Sequence, residues 1–285
     1  MSEIRTRDLL ITAVAPLIWG STYLVTTEFL PPDRPLTTAM IRAVPAGLLL
    51  LACSRRLPAR GEWGRIFLLG VLNIGLFQAM LFVSAYRLPG GLAGVLNYTQ
   101  TLMILVLTAV IGKTMPPKAA WFWAAAGVAG IALLALSPQA GTDGWGIAAA
   151  LTGAASMSLG VYLSKHWHFK LPPAAFAGWQ MLFGGLLLIP FALTLETLPD
   201  TFTAANIGGY LYLCLFGAVF GYALFFRGVT RLPAAVVSSL GLLSPVCAFV
   251  LGLLFLGQGV DAKSLAGFVL AIASIAGVQK AVRTG

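Results

Sequence analysis

Ten apolar stretches run through this chain, each long enough to cross a bilayer, and only short turns separate them. They fall at 9–30, 36–53, 66–86, 91–112, 119–137, 144–163, 174–195, 207–227, 233–256 and 264–281. A crossing helix needs about 20 predominantly apolar residues. The breaks carry turn residues: "LPPDRP", "RLPGG", "KTMPPK", "SPQAGTDG", "KLPP" and "RLPAA". Of 285 residues, 59% are hydrophobic and 9% charged, against about 25% charged in a soluble domain. No soluble fold can hide that much apolar surface. In lipid, backbone groups must be satisfied within the segment, so each stretch is read as a helix. The expected fold class is an all-α polytopic membrane protein of ten transmembrane helices. Arg5 and Arg7 ahead of the first stretch resemble a signal peptide, but the run is too long and no small-x-small cleavage site follows. A retained first span is the better reading. Cys53, Cys214 and Cys247 lie in apolar stretches without metal-ligand spacing and read as small buried hydrophobes.

The net charge of +9 could point to nucleic acid; the placement of the charges excludes that. With the N-terminus inside, fourteen basic residues fall on the inner side, in the segments holding Arg5 and Arg7, Arg55 to Arg65, Lys113 and Lys118, Lys165 and Lys170, Arg227 and Arg231, and Lys280 and Arg283. Three, Arg34, Arg87 and Lys263, fall outside, and Arg42 lies within a span. This is a strong positive-inside bias. It predicts both termini in the cytoplasm, the surplus charge on the inner leaflet, and a multi-pass location in the cell (inner, cytoplasmic) membrane.

The halves of the chain resemble each other. "RLPGGLAGVLNYTQT" starts at Arg87 and "RLPAAVVSSLGLLSP" at Arg231, an offset of 144; "GLLLL" starts at Gly47 and "GLLLI" at Gly185, an offset of 138. The expected units are 1–138 and 139–285. Five spans per unit is an odd number, so the second copy crosses the membrane in the opposite sense. Inverted repeats around a midplane site belong to transporters that expose the site alternately to the two sides.

These features resemble the drug/metabolite transporter superfamily, specifically its EamA-type members. The resemblance is carried by "LIWGSTYLV" in the first span, Arg42 early in the second, "RLPGGLAGVLN" opening the fourth, and "RLPAAVVSSLGLLSPV" with Pro245 opening the ninth. It covers nearly the whole chain. The usual "GE" after the ninth span reads Gly257-Gln258 here, and "GK" in the first repeat, so any role of that acid is absent. The aromatic and amide content of the spans is similar to that of the family's aromatic amino-acid exporter. The resemblance implies a carrier that exports or exchanges small metabolites, with aromatic and neutral amino acids favoured. A lipid or drug-like solute is the alternative.

Polar groups at membrane depth need a partner or a cavity. Asn97, Tyr98, Thr99, Gln100 and Thr101 form a polar run in the fourth span. Asn97, Gln100, Thr101 and Ile104 share a face, with Tyr98 to one side. They can line a cavity or hydrogen-bond between helices. The 144 offset pairs Gln100 with Ser244, Thr101 with Pro245 and Asn97 with Gly241. Pro245 is expected to free the Gly241 carbonyl and break the helix there, with Ser238 and Ser239 one turn away. Trp19 and Tyr23 stand one turn apart, too deep for interfacial anchors; Tyr162, Trp179 and Tyr222 are similar. Arg42 can snorkel outward or hold a carboxylate through its guanidinium fork; its repeat counterpart is Gln180. Gln78, Phe82 and Tyr86 share a face of the third span. No Asp or Glu lies near a span centre, which favours facilitated export or exchange over proton or sodium coupling.

An intramembrane enzyme would need a nucleophile and base, or a metal. His166 and His168 in "KHWHFK" face apart at i, i+2 and have no third ligand nearby. A channel would want a continuous polar stripe. No catalytic residue, metal or cofactor is expected. The expected partners are a small-molecule substrate and the bilayer, for a chain acting as a monomer.

Overall fold

The computed structural model describes residues 6–88, 96–135, 143–197, 201–256 and 262–284. The expected repeat boundary at 138/139, most of the "RLPGG" turn and Gly257-Gln258 lie outside these residues, as does the side chain of Tyr23. All regular structure among them is helical: α1 (Thr6–Phe29), α2 (Pro35–Ser54), α3 (Trp63–Arg87), α4 (Leu96–Val110), α5 (Lys118–Ala135), α6 (Gly144–His166), α7 (Pro173–Leu195), α8 (Ala204–Arg231), α9 in two pieces (Ala234–Leu240 and Leu243–Leu256) and α10 (Ala262–Thr284). Seven of these (α1, α2, α3, α6, α7, α8 and α10) are long and apolar enough to cross a membrane; the apolar parts of α4, α5 and α9 are shorter.

The helix ends follow local chemistry. Pro35 and Pro173 open α2 and α7, where a missing N–H costs nothing. Asp143 caps α6 by accepting from the N–H groups of Trp145 and Gly146, and Thr203 with Asn206 forms a reciprocal capping box at the start of α8. Arg55 closes α2 in the left-handed region, its N–H donating to the Leu51 carbonyl at 2.8 Å.

The side-chain distribution is inverted relative to a soluble protein. Large apolar side chains face outward, Phe122 65% and Leu254 72% exposed among them, while Arg42, Asn73, Gln78 and Gln180 are buried. That arrangement requires lipid around the perimeter. Of the three cysteines expected to be buried, Cys214 is buried and Cys247 half-buried, while Cys53, in the last turn of α2, is exposed.

The packing obeys a pseudo-two-fold. α2 packs on α7 and α5 on α10; α1 packs on α8 and α9, and α6 on α3 and α4. Exchanging each helix for the one five places away leaves this scheme unchanged. Single residues obey it too. A Cβ on Gly47 would lie 2.7 Å from the backbone nitrogen of Leu182, and one on Gly185 would lie 3.0 Å from that of Val44. Each contact is the other shifted by 138. Gln78 hydrogen-bonds Tyr222, its own counterpart at 144, and a residue that meets its own counterpart lies on the axis.

α3 and α8 share one irregularity. Each contains a π-helical segment, Val71–Leu76 and Leu213–Phe220. Such wide turns redirect carbonyls and cluster at functional sites. Here each receives a polar side chain from the other repeat. Arg42 Nη2 donates to the Gly217 carbonyl at 3.0 Å, and Asn73 Nδ2 donates to Gln180 Oε1 at 2.7 Å. Asn73 and Gly217 are 144 apart; Arg42 and Gln180 are 138 apart.

Candidate functional site

A cavity lies on the pseudo-two-fold between the repeats. Its wall includes Trp19, Thr22 and Thr26 of α1, Arg42 of α2, Phe77, Leu81, Phe82 and Ala85 of α3, and Asn97, Tyr98 and Gln100 of α4. From the second half come Met157, Tyr222, Phe225, Val237, Ser238, Gly241 and Ser244. The cavity volume is about 90 Å³, well below the roughly 300 Å³ at which small-molecule pockets begin.

The Gly217 carbonyl organises one wall. It accepts from Arg42 Nη2 and, at 2.8 Å, from Trp19 Nε1. The Trp19 ring packs on Tyr222 and Phe225 with centroids 5.0 and 5.2 Å apart. The Arg42 guanidinium carbon stands 5.9 Å from the Tyr222 ring centroid, within cation–π reach. Arg42 is 2% exposed, which overturns the snorkelling alternative. An inward turn wins because a carbonyl and an aromatic face are available there. Among the described lining residues no Asp or Glu is present, so the wall carries a net positive charge. Thr22 and Thr26 are buried, and their hydroxyls lack a hydrogen-bond partner.

On the opposite wall Asn97, Tyr98 and Gln100 face Gly241 and Ser244 across the repeat interface, and a Cβ on Gly241 would come 3.3 Å from the Tyr98 ring. Both α4 and α9 are irregular here: the chain turns at Thr99 and again at Gly241 and Leu242. The reading of Pro245 needs correction. Gly241's carbonyl accepts from the Ser244 N–H at 2.9 Å, so Pro245 frees nothing. It occupies the first turn of the second α9 piece, where its missing N–H would have no helical partner. Thr101 is buried beside Gln100 without lining the cavity, and the Ser238 and Ser239 hydroxyls donate to Ala235 and Val236 in their own helix.

Other expected residues lie elsewhere. Gln78 is fully buried behind the wall and donates to the Tyr222 hydroxyl at 3.4 Å. Tyr86 donates to the Pro31 carbonyl and ties down the α1–α2 turn. Tyr162 stacks on His166, ring centroids 4.0 Å apart, away from the cavity. Trp179 belongs to a peripheral cluster with Trp63 and Phe183, its N–H donating to the Arg56 carbonyl; that is the arrangement of an interfacial anchor. His166 and His168 turn Nδ1 toward the carbonyls of Tyr162 and His166. Among the described residues no group of three side chains could hold a metal.

Thr22, Thr26, Phe77, Leu81, Ala85, Met157, Phe225 and Val237 also line the cavity, beyond the residues expected from the sequence. A signal existed for some of them. Thr22 and Thr26 extend the Trp19 face at i+3 and i+7, and Phe225 is Leu81 shifted by 144.

Comparison with known proteins agrees with this architecture. The chain matches the EamA-like transporter family twice, over residues 7–136 and 144–279. It is 40% identical to Protein PecM of Dickeya dadantii over 267 residues, covering 93% of this chain and 90% of that one. It is 30% identical to the uncharacterized inner membrane transporter YedA of Escherichia coli over 248 residues, covering 83% and 78%. A crystal structure at 19% identity superposes with a TM-score of 0.81 over 99% of both chains, which shows a common fold. The lipid-facing perimeter, the doubled match and these relatives lead to one conclusion: the chain is a multi-pass membrane protein that belongs to the EamA-like transporter family.

Proposed function

We propose that this transporter is an alternating-access carrier that exports or exchanges small metabolites, with aromatic and other neutral amino acids favoured, through the cavity on the pseudo-two-fold. One observation carries the reading. A buried guanidinium, Arg42, stands beside the aromatic face of Trp19, Tyr222 and Phe225 in a wall whose described residues include no carboxylate. A guanidinium fork matches a carboxylate, and the aromatic face matches a planar or apolar side chain. Thr22, Thr26, Asn97 and Gln100 supply hydroxyl and amide oxygens for an ammonium group. We take all ten helical segments as crossings, with both termini in the cytoplasm of a cell whose inner membrane holds the protein. The basic-residue bias supports that orientation.

Because no acid lines the described cavity, transport is expected to need no proton or sodium gradient. Counterflow of labelled amino acids in proteoliposomes without an ion gradient tests this. Uptake should exceed that of empty liposomes for at least one aromatic or neutral amino acid. Trp19→Ala and Gln100→Ala should each lower it, by about tenfold for a lost aromatic platform or amide contact. No exchange of any amino acid would refute the substrate class, and strict dependence on a proton gradient would refute the coupling. Normal transport by both variants would refute the site.

A further inference from the structure

The ion pairs at the two ends of the molecule play no part in the cavity, yet they follow the same pseudo-symmetry. At the end carrying the chain termini, Asp8 in the first turn of α1 meets two arginines at the end of α8. Its Oδ1 lies 2.7 Å from Arg227 Nη2 and 3.4 Å from Arg231 Nη1. At the opposite end, Asp143, which caps α6, lies 2.8 Å from Arg87 Nη1 at the end of α3. Arg87 and Arg231 open the two copies of the repeated "RLP". α1 and α6 are the first helices of their repeats, and α8 and α3 the third. Each bridge therefore joins the first helix of one repeat to the third helix of the other, once at each end. All four helices line the cavity.

From this we infer that Asp8–Arg227/Arg231 and Arg87–Asp143 are paired gate latches of the transport cycle, one of which must break each time the cavity opens to its own side. The inference rests on the alternating-access reading. Both are formed in this structure. They are unequal: Asp8 is 11% exposed and shared by Arg227 and Arg231, which are 20% and 53% exposed, while Arg87 and Asp143 form a single contact and are 51% and 34% exposed. Opening the Asp8 end separates two guanidinium–carboxylate contacts and opening the Asp143 end separates one, so the empty carrier opens preferentially at the Arg87–Asp143 end. Arg87 holds the Asp143 carboxyl below its ordinary range. The exposed latch is thus ionised at neutral pH and is lost only as pH falls through that lowered value.

Single reporter cysteines test this without knowledge of the substrate, so the latches can fail while the proposed cargo stands, and the reverse. In full-length protein with Cys53, Cys214 and Cys247 replaced by serine, Thr12→Cys reports the α1–α8 seam, where Thr12 packs on Gly228. Ala150→Cys reports the α3–α6 seam, where Ala150 packs with Leu88. Modification by a membrane-impermeant thiol reagent is followed in nanodiscs, where both faces are open to solvent. Asp8→Asn should speed labelling at position 12 by about tenfold or more and leave position 150 unchanged or slower. Arg87→Gln should speed labelling at position 150 by at most about fivefold. The exchanged pair Arg87→Asp with Asp143→Arg should return it to the parent rate. Unchanged labelling in Asp8→Asn, equal acceleration at both positions, or failure of the exchanged pair would overturn the assignment.

Discussion

Replacing Arg42 with glutamine is expected to lower exchange of carboxylate-bearing solutes about a hundredfold or more while the protein stays folded in the membrane. Removing one partner from a buried charge-assisted contact costs on the order of 3–5 kcal/mol, which a neutral amide recovers only in part. Glutamine can still donate to the Gly217 carbonyl that Arg42 holds at 3.0 Å, so the wall between α2 and α8 is kept. Arg42→Lys retains the charge but not the planar fork, and its activity should fall between glutamine and wild type. The measurement is the initial rate of counterflow in proteoliposomes, normalised to reconstituted protein, with KM and maximal rate separated. Equal activity of Arg42→Gln and wild type would mean that the guanidinium only braces the Gly217 turn.

Gly47→Leu is expected to remove most of the folded protein, and Gly185→Leu to do the same. At Gly47 an added Cβ would meet the backbone nitrogen and Cα of Leu182 at 2.7 and 3.0 Å, and at Gly185 it would meet the Val44 side chain and backbone nitrogen at 2.7 and 3.0 Å. Backbone cannot swing aside as a side chain can, so α2 and α7 must separate along the axis that organises both repeats. Overpacking costs about 1–3 kcal/mol where neighbours can relax, and this site cannot. A fall in melting temperature of about 10 °C or more is expected, read by thermal aggregation in detergent. Gly208→Ala is the control, because a Cβ there meets nothing within 4 Å. If Gly47→Leu melts with wild type, the close crossing of α2 and α7 is wrong.

Much of the architecture was legible in the sequence because lipid imposes a simple rule. A helix facing hydrocarbon must be apolar, and seven of the stretches are, among the described residues, helices long and apolar enough to cross a membrane, as with 174–195 against Pro173–Leu195. The repeat was legible from "RLP" and "GLLL" because symmetric contacts demand like residues on both sides of an axis: Gly47 and Gly185 each permit the approach of the other's helix. The cavity wall was legible only in part. Asn97, Gln100, Trp19 and Arg42 stood out because polar or bulky residues are rare at that depth. Leu81, Met157 and Val237 did not, since an apolar side chain lining a cavity reads the same as one facing lipid. Trp179 and Tyr86 misled for the complementary reason. Depth along a helix says nothing about which way a side chain turns, and theirs turn to Arg56 and Pro31. The Pro245 reading failed because the chain turns at Gly241 before the proline is reached, which moves Pro245 from helix interior to first turn.

In the proposed transport cycle the Arg42 wall of the cavity receives the charged end of the solute. Counterflow of labelled tryptophan compared with tryptamine, the same ring without its carboxylate, tests it most directly. Wild-type protein is expected to exchange tryptophan and to exchange tryptamine at no more than about a hundredth of that rate, with Arg42→Gln abolishing the difference. Equal exchange of the two by wild-type protein would contradict it.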